Sequence, residues 1–190
     1  MRTKKEGRRQ ALLDCARRIE CSEGVDGINI RRLATEAGIA VGTVYNYFES
    51  KQEVLFALTE DFWSGALEEM QDRVSGGRFS DQAGRMISFL RATMHDCAEI
   101  LMRSLHEDAA EGRARMTSMQ RALKGILIKR LEQDETIRPD VWSEAFTREA
   151  FAEFVLANML SLLRQKDDDA GVFLEVLQRI LYLDKRELID

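Results

Sequence analysis

Apolar residues recur along this chain with helical spacing almost throughout. Leu12, Cys15, Ala16 and Ile19 form one stripe and predict a first helix over residues 8–22, ended by Gly24-Val25-Asp26-Gly27. Asn29 is a side chain suited to cap a second helix, whose inner face is Ile30, Leu33, Ala34 and Ala37. Gly38 then stands where a left-handed residue would stop that helix. A short third helix over about Val41–Phe48 turns Val44 and Phe48, four residues apart, toward the same core. Ser50, followed by Lys51 and Glu53, caps a long fourth helix that runs to about Val74, where Gly76 and Gly77 break it.

Beyond the glycines the period continues. Ala83, Met86, Ile87, Leu90 and Met94 mark a helix over about 81–106, with a break near His95 and Asp96 left open. Ala109 to Gly112 reads as a connection, and Met116, Met119, Leu123, Leu127 and Leu131 mark a helix over about 113–134. The single proline, Pro139, punctuates a loop, and two last helices are predicted over roughly 140–166 and 170–184. No run alternates as a strand would, so the chain is all-α: a three-helix N-terminal domain over residues 1–50, then a larger helical domain over 51–190.

Composition narrows the class. With 45% apolar and 32% charged residues, the 190-residue chain can bury a core and still present a charged surface. No apolar run reaches the roughly 18 residues of a membrane span, and the basic N-terminus leads into a polar amphipathic stretch rather than a secretory signal. No membrane partner is expected, and the expected location is the cytoplasm. Cys15, Cys21 and Cys97 are odd in number and lack metal-site spacing, so they read as small buried apolar residues. His95 and His106 have no third ligand beside them, so neither a metal nor a catalytic site is expected. Nor is there a paired-carboxylate, nucleophile-elbow or phosphate-loop pattern, so no enzyme and no cofactor is predicted.

The net charge of −5 is unevenly placed. Residues 1–58 carry 10 Lys and Arg against 8 Asp and Glu, a net of +2, while the remaining 132 carry 18 against 25, a net of −7. Positive charge therefore sits toward the N-terminus, as suits a nucleic-acid-binding end.

The segment Asn29–Phe48 meets the demands of a helix-turn-helix. Ala34 is small enough for close packing of the two helices, Gly38 tolerates the turn, and Ile39, Val44 and Phe48 are inner anchors. Thr43, Tyr45, Asn46 and Tyr47 then offer hydrogen-bonding groups on the outer face, and Gly42 lets backbone approach a phosphate.

The run from Ile30 to Leu55, with Gly42-Thr43-Val44-Tyr45-Asn46-Tyr47-Phe48 followed by Ser50-Lys51-Gln52-Glu53-Val54-Leu55, closely resembles the DNA-binding domain of the tetracycline-repressor (TetR) family; the match covers about residues 8–58. The resemblance implies that Tyr45 and Lys51 hold phosphates, and that Thr43 contacts phosphate or a base edge. By the same token Val41, Asn46 and Tyr47 face the major groove, and Arg31 reaches the flanking backbone. Ala40 departs from the family's frequent capping serine, and Val41 from its common polar or basic residue, which suggests contact with a thymine methyl.

The resemblance also implies a helical effector-binding body. All methionines but Met1 lie beyond residue 69, and Phe62, Trp63, Met86, Phe89, Met102, Met119 and Phe151 are the candidate lining of a pocket for an apolar or amphipathic small molecule. The last two helices are apolar over more than one face. Phe154, Leu162, Phe173, Val176, Leu177 and Ile180 are the candidate contacts of a homodimer. The expected protein is a repressor on a near-palindromic duplex operator, released by its effector; a DNA-binding regulator answering to a protein partner, or to no small molecule, is the alternative.

Overall fold

The computed structural model describes residues 4–107, 109–165 and 169–182, with side chains given outside 94–107, 109–113 and 115. Among the described residues there are eight α-helices, one 3₁₀ turn and no strand: α1 (Lys4–Gly27), α2 (Ile30–Ala37), α3 (Val41–Tyr45), α4 (Lys51–Arg73), α5 (Phe79–Glu107), α6 (Ala109–Gln133), the 3₁₀ turn Pro139–Val141, α7 (Arg148–Arg164) and α8 (Gly171–Tyr182). The all-α class read from the periodicity is what the chain adopts.

Several boundaries differ from the expected ones. α1 starts four residues earlier and is interrupted at Gly24, whose φ of 72° leaves the helical region. α5 runs unbroken through His95 and Asp96. Ala109–Gly112 opens α6 rather than connecting two helices. Residues 142–147 are not helical: the Ser143 and Phe146 backbones exchange hydrogen bonds at 3.2 Å, and the Thr147 hydroxyl caps α7 by accepting the Ala150 N–H at 3.1 Å.

The chain forms two compact units. The first comprises Met1–Gly65 with Asp96–Arg115. Its core joins Leu12, Leu13, Ala16 and Ile19 of α1, Ile30 and Leu33 of α2, Val44 and Phe48 from α3 onward, and Val54, Leu55 and Leu58 of α4. Each such fully buried large side chain contributes about 1.5–3 kcal/mol. Cys15 belongs to this core, but Cys21, expected to be buried as well, is exposed because it follows the apolar stripe round to the solvent side of α1.

The second unit comprises Ala66–His95 with Met116–Asp190. Its buried residues include Met86, Ile87 and Leu90 of α5, Leu123, Leu127 and Leu131 of α6, Phe151, Val155 and Met159 of α7, and Leu177 and Leu181 of α8. Gly84 lets α8 come close to α5, since a Cβ there would stand 3.1 Å from Leu174 Cδ1. Trp142, Phe146, Phe151 and Phe154 form an aromatic cluster with neighbouring ring centroids 5.3–6.1 Å apart. The apolar residues of 142–146 thus serve a loop folded onto α7, not a further helical turn.

Candidate nucleic-acid interface

The site is built on local signals. Asn29 Oδ1 accepts the Arg32 N–H at 2.9 Å and fixes the start of α2. Gly38 ends it at φ 65°, with its N–H on Thr35 O at 3.2 Å and the Ile39 N–H on Ala34 O at 3.0 Å. That pair of bonds is the Schellman arrangement, which requires a left-handed residue and turns the chain sharply into α3. Ala34 is buried where the two helices meet.

α3 is short, and burial holds it in place. Val44 and Phe48 are both fully buried beneath it. Its N-cap, Ala40, supplies no side-chain bond, and only the Ala40 carbonyl, accepting the Thr43 N–H at 2.9 Å, closes the first turn. With the apolar side turned inward, Val41, Gly42, Tyr45 and Asn46 are exposed, Tyr45 by 52%. Thr43 is half-buried. Tyr47, expected on the outer face, is half-buried too and packs against the core, because it follows the end of α3 and turns back with Phe48. Nothing lies within 4 Å of where a Cβ on Gly42 would be, so its backbone is open.

The start of α4 is fixed by a variant of the capping box in which the glutamate reaches the residue before the cap. Ser50 Oγ accepts the Glu53 N–H at 3.1 Å, and Glu53 Oε2 accepts the Glu49 N–H at 2.5 Å. Lys51, half-buried, is therefore held at the first residue of that helix, beside its electropositive end. Arg31 is exposed at the start of α2. Asn29, Gly38 and the capping box thus gather onto one small scaffold all eight residues expected to meet DNA.

The other candidate residues divide between the units. Phe62 packs against the first unit's core, and its ring meets that of Trp63 edge-on at 5.9 Å. Trp63 is buried, and its indole N–H has no hydrogen-bond partner among the described residues. Met86 and Phe151 are fully buried in the second unit, where Phe151 is the centre of the aromatic cluster. Phe89 and Met119 are half-buried, the former beneath the Arg73 guanidinium; the side chain of Met102 lies outside the described residues. On α7 and α8, Phe154 and Val176 are exposed, and Leu162, Phe173 and Ile180 are half-buried. Leu177, expected to face a partner, is instead fully buried, because the helical period sets it with Leu181 on the inward face of α8. Among the described residues no group of acids, histidines and cysteines could hold a metal ion, and no helix is long and apolar enough to cross a membrane.

A helix-turn-helix near the N-terminus, followed along the chain by a helical body, is the arrangement of a DNA-binding transcriptional regulator. The sequence pattern described as "Bacterial regulatory proteins, tetR family" matches residues 12–58. The chain is 24% identical over 170 residues to the HTH-type transcriptional repressor Rv1474c of Mycobacterium tuberculosis, covering 85% of this chain and 84% of that one. Among solved structures, Salmonella enterica GusR is similar with a TM-score of 0.61 at 16% identity, over 94% of this chain and 97% of that one. The transcriptional regulator FadR from Bacillus subtilis, solved in complex with stearoyl-CoA, is similar with a TM-score of 0.55 at 18% identity, over 90% and 97%. Residues 12–58 thus carry the N-terminal pattern of the tetR family of bacterial regulatory proteins, and the relatives and solved structures that resemble the chain are regulators of that kind.

Proposed function

We propose that this regulator is a homodimeric repressor acting in the cytoplasm, which sets α3 of each subunit into the major groove of a near-palindromic operator and is released by a small apolar or amphipathic effector. The observation that carries the reading is the two-sidedness of α3: Val44 and Phe48 fully buried on one side, Val41, Gly42, Tyr45 and Asn46 open on the other. Asn46 reads base edges, Val41 meets a thymine methyl, and Thr43 contacts a phosphate or a base edge. Tyr45, Arg31 and Lys51 hold phosphates; at the start of α4 the lysine and the helix dipole attract the same anion. Residues 1–50 are the DNA-binding part, and residues 51–190 take the effector and the second subunit.

Support for the dimer comes from apolar residues that the chain leaves uncovered on α7 and α8: Phe154 at 45%, Val172 at 77% and Val176 at 37%. Support for the effector is the similar fold of FadR, whose structure holds stearoyl-CoA, an amphipathic ligand. Sequencing duplex fragments selected by the purified protein tests the operator. The expected product is an inverted repeat with half-sites about 34–36 Å apart, or somewhat more; fragments sharing no repeat overturn the reading. Calorimetric titration with and without operator tests an effector candidate, because operator must weaken the ligand by the factor through which the ligand weakens operator. Equal affinities rule that compound out.

A further inference from the structure

We propose that the DNA-contacting surface extends past the helix-turn-helix onto the first two turns of α1, where Lys4, Lys5 and Arg8 hold the sugar–phosphate backbone of duplex DNA flanking the bases that α3 faces. The proposal rests on the DNA-binding reading above and adds to it a surface outside the residues matched by the family pattern, which begin at 12.

Three observations converge. The first is exposure: Lys4, Lys5 and Arg8 of α1 all face solvent. Lys4 and Arg8 stand one helical turn apart on one face. The second is their place beside α3. Arg8 lines a groove of about 420 Å³ together with Leu12, Ile39, Ala40, Thr43 and Tyr47. It therefore shares a surface with two of the residues expected to meet DNA. One residue on, the Arg9 guanidinium lies over the Phe48 ring, 5.3 Å from its centroid, which pins the start of α1 to the residue that anchors α3 from below.

The third is charge. Further along α1 and α2, three arginines are neutralised within the unit: Arg17 pairs with Asp61, Arg18 with Glu36 at 3.3 Å, and Arg32 with Glu23 at 2.7 Å, whereas Arg31, already expected to meet the DNA backbone, is exposed without an ion pair among the described residues. Lys4, Lys5 and Arg8 have no ion pair among the described residues. Uncompensated cations grouped next to the reading helix match one occupant, the evenly spaced phosphates of a duplex.

The test uses the full-length protein and the duplex obtained by fragment selection. The triple variant Lys4→Gln, Lys5→Gln, Arg8→Gln is compared with the unaltered chain across salt concentrations, Arg9 being left in place because it packs on Phe48. Affinity is expected to fall at least tenfold at low salt, with the slope of log affinity against log salt reduced by about 0.9 for each phosphate no longer neutralised. Base preference is expected to stay the same, and so is the melting temperature. Arg121→Gln with Lys129→Gln, two exposed positions of the second unit, is the control and is expected to leave the slope alone. Trimming the flanks from the duplex is expected to weaken the unaltered chain but not the triple variant. An unchanged slope in the triple variant overturns the proposal, as does an equal loss in the control. Failure of the unaltered chain to bind any duplex would instead overturn the reading beneath it.

Discussion

The hydroxyl of Tyr182, the last residue of α8, donates to Asp134 Oδ2 at 2.6 Å, and the same oxygen accepts the N–H of Phe79, the first residue of α5, at 2.7 Å. One carboxylate just beyond α6 therefore caps α5 from 55 residues away and ties down the end of α8. Burial alone would push the Asp134 pKa up, but hydrogen bonds from Thr136, Tyr182 and the Phe79 N–H hold it below the ordinary carboxylate value. The Tyr182 phenol moves the opposite way, raised by burial and then by its bond to that carboxylate.

Asp134→Asn is accordingly expected to cost about 1–2 kcal/mol at neutral pH, a charged hydrogen-bond network discounted for its partial exposure. Because the folded pKa lies below the unfolded one, the ionised carboxylate stabilises fully above pH ~4, and this is lost as pH falls through the lowered value. Denaturant titrations of the two proteins should differ at pH 7 and draw together as the pH falls below about 4. A gap that stayed constant with pH would show that the charge of Asp134 is not what matters.

At Gly38 the φ of 65° is a demand on the backbone alone, since nothing lies within 4 Å of an added Cβ. Gly38→Ala should therefore lower stability by about 1 kcal/mol, and Gly38→Asn by less, because asparagine tolerates the left-handed region better. Equal stability of all three proteins in urea would contradict this.

Lys51 and Asn46 should separate affinity from selectivity. Lys51→Ala is expected to weaken all sequences alike and lower the salt slope by about one counterion per site. Asn46→Ala should change which base is preferred, by about 1–3 kcal/mol of discrimination. Binding assays on a panel of single-base variants distinguish the two, and a Lys51 variant with altered base preference and an intact salt slope would reverse the assignments.

Val176 and Leu177 are adjacent yet point to different fates. A charge at the exposed Val176 should dissociate the proposed dimer with helicity retained, whereas a charge at the fully buried Leu177 should unfold the second unit. Sedimentation together with circular dichroism reads both. Retention of the dimer by Val176→Glu would remove α8 from the interface.

What the sequence disclosed was what local chemistry encodes. Asn29, Gly38 and the Ser50–Glu53 pair each set a boundary through bonds to neighbours a few residues away, so the path from α2 to α4 could be read directly. Periodicity failed where burial is absent: residues 4–7 are exposed, so the apolar stripe gave no sign that α1 already covered them. It misled where apolar residues answer to distant partners. Trp142 and Phe146 looked like part of a helix but close a loop over Phe151. Leu177 lay on a face of α8 that the pattern showed to be apolar without showing what covers it, and its own chain does. The Asp134 cap on α5 left no trace in the sequence, because donor and acceptor are far apart along the chain.

A five-residue helix is far below the length at which one persists in water, and α3 has no side-chain cap to help it. Its shape is borrowed from Val44 and Phe48, so the element expected to meet DNA exists only while the small core beneath it is intact. Shaving that core, as Val44→Ala would, removes no group that meets DNA but thins the folded population as warmth raises the cost of order. Such an allele is expected to derepress at high growth temperature and to recover on cooling, a conditional phenotype arising wholly under the surface that reads.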